Sequence, residues 1–278
     1  MPRKKVEWKI KNELLRLGER TLLCGVIPVT PEQGGPGSYE DPDRAFVRAT
    51  ELVDAGADFI EVGAECLRPG WQKVEEAEEL RRLVPVLKRL KGRLPVPVCV
   101  ETYKAAVAEK ALEHGATIIR DPSGLTLEQD LAKVVMQHDA GFILQHMRGT
   151  PQTWSKLGAW KDPASLVTAE LTAALNRAGR MGVERNRLVI DPGFGMGKRK
   201  ESNTELLVAL DEFHKLRLPV MVSPSGQQFD AEIPVEPCEA TTIAAATMAV
   251  LRGAHIVRVL DVASVRPAVL VADQALRG

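Results

Sequence analysis

Asp191 ends the apolar run Leu188-Val-Ile and is followed at once by Pro-Gly-Phe-Gly-Met-Gly-Lys198. A carboxylate where a buried strand gives way to a loop is costly to half-bury and needs a partner. Gly193, Gly195 and Gly197 let the backbone after it approach a ligand closely. One reading is a site that binds a ligand; the other is a strand-end cap on its own loop amides. Arg68 and Arg258 stand at the ends of two further apolar runs. Their planar forks suit bidentate contacts to phosphate, or else rim salt bridges to Glu65 or Asp261. Glu101, Arg120 and His146 end three more runs. A pair of buried acids repels, and a buried arginine needs a partner. If Glu101, Arg120 and Asp191 converge on one pocket, the guanidinium is expected to bond Asp191, Glu101 or both. The alternative turns Arg120 outward, to Asp121 or Asp139. His146 reads as a satisfied strand-end histidine, Lys198 as a solvated surface group, and Cys66 and Cys99 as space-filling thiols rather than nucleophiles. Trp154 and Trp160 are expected to pack over the rim.

These side chains need elements to hold them. Short Val/Ile-rich runs occur at 21–28, 57–64, 96–101, 117–121, 141–147, 188–191, 219–223 and 255–262. They are too short for helices and suit parallel strands covered on both faces. Between them, helical spacing runs over 43–55, 75–90, 104–114, 127–138, 163–181, 204–215 and 239–252, and Ser264 is expected to cap a last helix ending near 276. Eight such pairs predict an α/β fold, a (β/α)8 TIM barrel over 21–278, with a doubly wound open sheet as the runner-up. Residues 1–20 read as a short N-terminal hairpin closing the barrel's N-terminal end. Chemistry in such a barrel lies at the C-terminal ends of the strands. The segment 30–39 reads as a mobile loop, and the Ala- and Thr-rich helix at 239–252 as a surface for a second subunit or an ordinary covered helix.

The chain of 278 residues has 45% hydrophobic and 27% charged residues, enough for a large core. Lys+Arg and Asp+Glu both count 37, which argues against nucleic acid or an anionic membrane as the main partner. No apolar run reaches a membrane-spanning length, and the first residues lack the apolar stretch of a secretory signal. Cys24, Cys66, Cys99 and Cys238 are far apart and suit a reducing cytoplasm.

The strand ends, in order, resemble those of dihydropteroate synthases. His146-Met-Arg-Gly149 and Asp191-Pro-Gly-Phe-Gly-Met-Gly-Lys198 match almost unchanged, and Glu65-Cys-Leu-Arg68-Pro-Gly70 and Glu101-Thr-Tyr-Lys104 match closely. The resemblance runs from about Trp8 to Asp261. It implies a folate-pathway transferase that joins p-aminobenzoate to a hydroxymethyl-dihydropterin pyrophosphate, releasing pyrophosphate, usually with magnesium. It implies a pterin pocket at Glu101, Arg120, Asp191, Met196 and Gln227, and pyrophosphate contacts from Arg68 and Arg258. Stabilising charge on the departing pyrophosphate dominates such chemistry.

Departures from the family's pattern fall at ligand-facing positions. Pro28 stands for an Asn, Leu67 for a Thr, Glu101 for an Asp, Arg120 for an Asn, Gly226-Gln227 for an Arg-Lys pair, and Leu260 for a His. Pro28 supplies no side-chain oxygen, so no metal cofactor is expected. The chain is therefore expected to be weak or inactive in the family reaction. The alternatives are a non-catalytic paralogue or partner subunit, or an enzyme acting on another phosphorylated substrate. A homodimer is expected.

Overall fold

The computed structural model describes residues 3–31, 38–225, 228–229 and 239–277. An antiparallel hairpin comes first, β1 (Val6–Ile10) with β2 (Glu13–Leu17), paired from Val6↔Leu17 to Ile10↔Glu13. Eight parallel strands follow: β3 (Leu22–Pro28), β4 (Phe59–Gly63), β5 (Val98–Glu101), β6 (Ile118–Asp121), β7 (Gly141–Gln145), β8 (Leu188–Asp191), β9 (Met221–Val222) and β10 (Ile256–Val259). They pair in the order β8-β7-β6-β5-β4-β3-β10-β9, and a parallel bridge between Ile190 and Val220 closes the ring. The runner-up open sheet is therefore excluded.

A helix follows each barrel strand: α1 (Pro42–Asp54), α2 (Glu76–Leu90), α3 (Ala105–Glu113), α4 (Leu131–Gln137), α5 (Pro163–Arg180), α6 (Lys200–Val208), α7 (Glu239–Leu251) and α8 (Val262–Ala275). Two starts follow one rule: Asp41 and Asp162 accept from Arg44 N and Ser165 N, with proline next in the chain to pre-set the first helical φ. Three expectations are corrected. The last helix is capped by Asp261, whose carboxylate accepts from Ser264 N at 3.3 Å and Ser264 Oγ at 2.6 Å; Ser264 is the donor, not the cap. The fourth helix starts at Leu131 rather than 127, because Asp121 and Ser123 capture the amides of Ser123, Leu125 and Leu127 in a turn. The sixth starts at Lys200 and tightens after Ala209 into a 3-10 turn, Leu210–Leu216.

Most of the apolar core lies between strands and helices. A second cluster fills the barrel itself. Cys24, Phe59, Cys99, Ile118, Ile143, Val189, Met221 and Ile256, one from each strand, pack against Trp8, Ile10 and Leu17 of the hairpin. Trp8 is fully buried, meets Phe59 edge-on at 6.1 Å between ring centroids, and donates Nε1 to Arg187 O at 2.8 Å. A Cβ on Gly141 would meet Ile10 at 2.9 Å and Trp8 at 3.1 Å, so the hairpin's approach depends on that glycine. No described helix is long and apolar enough to cross a membrane.

Candidate functional site

Side chains on one face of a strand recur every second residue. Two residues beyond the apolar layer, the same strands carry Val26, Glu61, Glu101, Arg120, Gln145, Asp191, Ser223 and Arg258. One strand keeps an apolar side chain at this level. The other seven supply a polar layer, sealed below by the apolar one; five of its side chains line a cavity of about 460 Å³, and the other two, Glu61 and Asp191, bond those that do.

Arg120 is the centre of this layer and is 2% exposed. Its Nη1 donates to Glu101 Oε2, and its Nη2 donates to Asp191 Oδ2 at 3.1 Å and to Ser223 Oγ at 3.4 Å. Its Nε lies 3.8 Å from Glu61 Oε2 and makes no hydrogen bond. The inward orientation holds, and the outward alternative to Asp121 or Asp139 is excluded. Asp121 instead receives its own loop amides, and Asp139 pairs with Arg187. Asp191 both caps its own loop and pairs with Arg120. Its Oδ1 accepts from Gly193 N at 2.7 Å, while Oδ2 faces Arg120, Ser223 Oγ at 3.3 Å and Gln145 Nε2 at 3.5 Å.

Arg258 donates Nε to Glu61 Oε1 at 2.7 Å; its Nη2 lies 2.5 Å from the same oxygen and 3.6 Å from Glu101 Oε2. The rim salt bridge to Glu65 or Asp261, one of the two readings for it, does not form. Glu65 Oε2 is taken by Lys104 Nζ at 2.5 Å and Asp261 by the cap of α8. Burial pushes Glu61 towards its neutral form, but Arg258 and Arg120 outweigh it and hold the carboxyl below its ordinary range. Arg68 lines the same cavity from the rim, exposed, with no side-chain bond to any described residue.

Lys198 is corrected. It is not a solvated surface group: its Nζ donates to the carbonyls of Gly193 at 2.6 Å, His146 at 3.2 Å and Met196 at 3.3 Å. Burial pulls it down to about 7. This clamp and Gly193, at φ 70 where a Cβ would overlap the His146 carbonyl oxygen, shape the turn that puts Phe194 and Met196 on the cavity wall. His146 is bonded as expected through Nε2, to Glu170 Oε2 at 2.7 Å, although its buried Nδ1 has no partner. Burial, with Lys198 nearby, lowers it to about 4.

Cys99 is fully buried, and burial beside Glu61 raises its thiol well above the ordinary range, so it is no nucleophile. Cys66 is buried at the cavity wall. Trp154 is buried beneath the rim, and Trp160 lies under the Arg148 guanidinium at 4.2 Å and against His146. Leu67 lines the cavity, and Leu260 lines it while staying 58% exposed. Gln227, Gly226, Cys238 and most of the 30–39 segment lie outside the described residues. Pro28 ends β3 with no side-chain oxygen, and among the described residues no three His, Cys, Asp or Glu side chains group to hold a metal ion. Glu61, Gln145 and Ser223 were not singled out from the sequence. A charge inside the apolar run 57–64, two residues beyond Phe59, was the available signal for Glu61.

A closed parallel barrel with a polar layer and a cavity at the C-terminal ends of its strands belongs to the (β/α)8 barrels that bind or transform small molecules there. A profile of pterin-binding enzymes matches residues 24–260. A dihydropteroate synthase of Synechocystis sp. is 34% identical over 96% of this chain and 94% of its own length. The crystal structure of a Yersinia pestis dihydropteroate synthase in complex with a sulfonamide drug superposes with a TM-score of 0.91 at 30% identity, covering 98% of this chain and 100% of that one. That of a Thermus thermophilus dihydropteroate synthase in complex with 4-aminobenzoate gives 0.83 at 35% identity, over 96% and 99%. The chain belongs to the dihydropteroate synthase family of pterin-binding, folate-pathway enzymes.

Proposed function

We propose that this is a divergent dihydropteroate synthase-like protein, weak or inactive in the family's condensation of hydroxymethyl-dihydropterin pyrophosphate with p-aminobenzoate. The observation that carries this is the Arg120 guanidinium between Glu101 and Asp191. The amino-pyrimidine edge of a pterin is itself a guanidine-like fork of donors. Arg120 offers the same fork to the same two acids, already in place and charged. Ligand and side chain therefore compete for one set of acceptors. The pyrophosphate side is weakened too, since Arg258 is committed to Glu61 and Leu260 offers no donor. No metal is part of this reading.

A second reading, an enzyme on another phosphorylated substrate, has one observation in its favour. Arg68 stands on the rim of a cavity that Arg120 leaves open above it, with no side-chain bond to any described residue. A third role is that of a partner subunit. The protein is expected to act in the cytoplasm as a homodimer, with exposed Met248 and Leu251 of α7 and Leu270 and Val271 of α8 as the apolar surface available for it.

Growth rescue of a strain lacking dihydropteroate synthase tests the proposal. No rescue is expected from the natural chain. Pro28→Asn, Gln227→Lys and Leu260→His, combined with Arg120→Asn, are expected to restore pterin binding. Rescue by the unaltered chain would show that these substitutions do not disable the site.

A further inference from the structure

We propose that Glu61 is a built-in anion that holds Arg258 in the ligand-free protein, so that an anionic ligand must compete with Glu61 for this arginine. This role lies on the anion side of the cavity and stands whether or not Arg120 excludes a pterin.

Glu61 is fully buried at the back of the polar layer. It is the one carboxylate there whose Oε1 takes both inner nitrogens of Arg258, Nε at 2.7 Å and Nη2 at 2.5 Å. Among the described residues its other oxygen meets only the edge of Arg120, at 3.8 Å, and the Cys99 thiol, at 4.0 Å. Water cannot replace Arg258 at a site with no exposure, so losing this partner strands the charge. Arg258 in turn is 22% exposed and lines the cavity, which is where a phosphate would meet it. An incoming anion meets Glu61 twice, as a competitor for the guanidinium and as part of a charge surplus. Glu61, Glu101 and Asp191 outnumber Arg120 and Arg258 in the layer. Like charge in a poorly solvated cavity repels strongly. Glu61 thus acts through Arg258 as a positioning residue, one that sets the site against diphosphates.

Calorimetric titration with inorganic pyrophosphate tests this on the full chain. E61Q keeps the shape and an acceptor for Arg258 but removes the charge, and it is expected to bind pyrophosphate about tenfold more tightly than the natural protein. The gain is expected to vanish in E61Q/R258Q. Equal affinity in E61Q, or a gain that persists without Arg258, overturns the proposal. Should E61Q not fold, the natural protein supplies the test through proton exchange at its arginine Nε groups, read by NMR. The Arg258 Nε–H is expected to exchange far more slowly than that of Arg68; equal rates contradict its being held. Neither result depends on pterin binding, so failure here and failure of the proposed function remain distinguishable.

Discussion

The two inward layers of the barrel sit one above the other on the same eight strands, two residues apart. The lower is apolar from end to end, closed below by Trp8, Ile10 and Leu17. The upper is polar on seven strands, and its charges answer one another rather than solvent. One pleat separates a layer that any set of well-packed apolar side chains can satisfy from one in which each member depends on named partners. Burial stabilises the first at roughly 25 cal/mol per Å² of apolar surface. In the second, desolvation of each ion offsets most of the attraction, so the layer adds little net stability while intact.

The layers should therefore fail differently. Arg120→Met strands the buried Asp191 and the half-buried Glu101 and is expected to lose about 3–5 kcal/mol in urea unfolding. Adding Glu101→Gln should return part of that loss, because the remaining acid keeps Ser223, Gln145 and the Gly193 amide. Ile143→Ala in the lower layer is expected to lose about 2–5 kcal/mol through cavity formation. No neutralising substitution above should restore it. If both variants responded alike to Glu101→Gln, the distinction between the layers would collapse.

Outside both layers, Asp261→Ala removes the cap of α8 and should lower stability by about 1 kcal/mol, again read from urea midpoints. The last effect concerns acid. His146 titrates at about 4 in the fold against an ordinary 6.5. As pH falls through 6.5 the unfolded chain takes up a proton that the folded chain refuses. The stability tied to neutral His146 is thus complete above 6.5 and is lost between 6.5 and 4. His146→Gln should flatten the acid side of the stability profile over that window, and an NMR titration of the ring should show its inflection near the lower value.

The barrel was legible in the sequence because strands buried on both faces read as unbroken apolar runs, with helical spacing between them. Asp191, Glu101 and Arg120 were legible because each ends such a run, and chemistry that cannot be solvated dictates how they pair. Glu61 was not, because it lies within its run, and which face is inward depends on the register of a closed ring. Lys198 was misread for a related reason. Three carbonyls converge on its amine only after the glycines of the turn adopt left-handed φ values, which no spacing along the chain displays. Arg258 belongs to the polar layer itself, and its partner Glu61 lies in that layer rather than among the rim residues weighed for it.

The most direct measurement is calorimetric titration of a hydroxymethyl-pterin into the natural protein and into Arg120→Asn. With the guanidinium seated between Glu101 and Asp191, the natural protein should show no binding in the low-micromolar range, and Arg120→Asn should acquire it. Low-micromolar binding by the natural protein would contradict the occupied pocket.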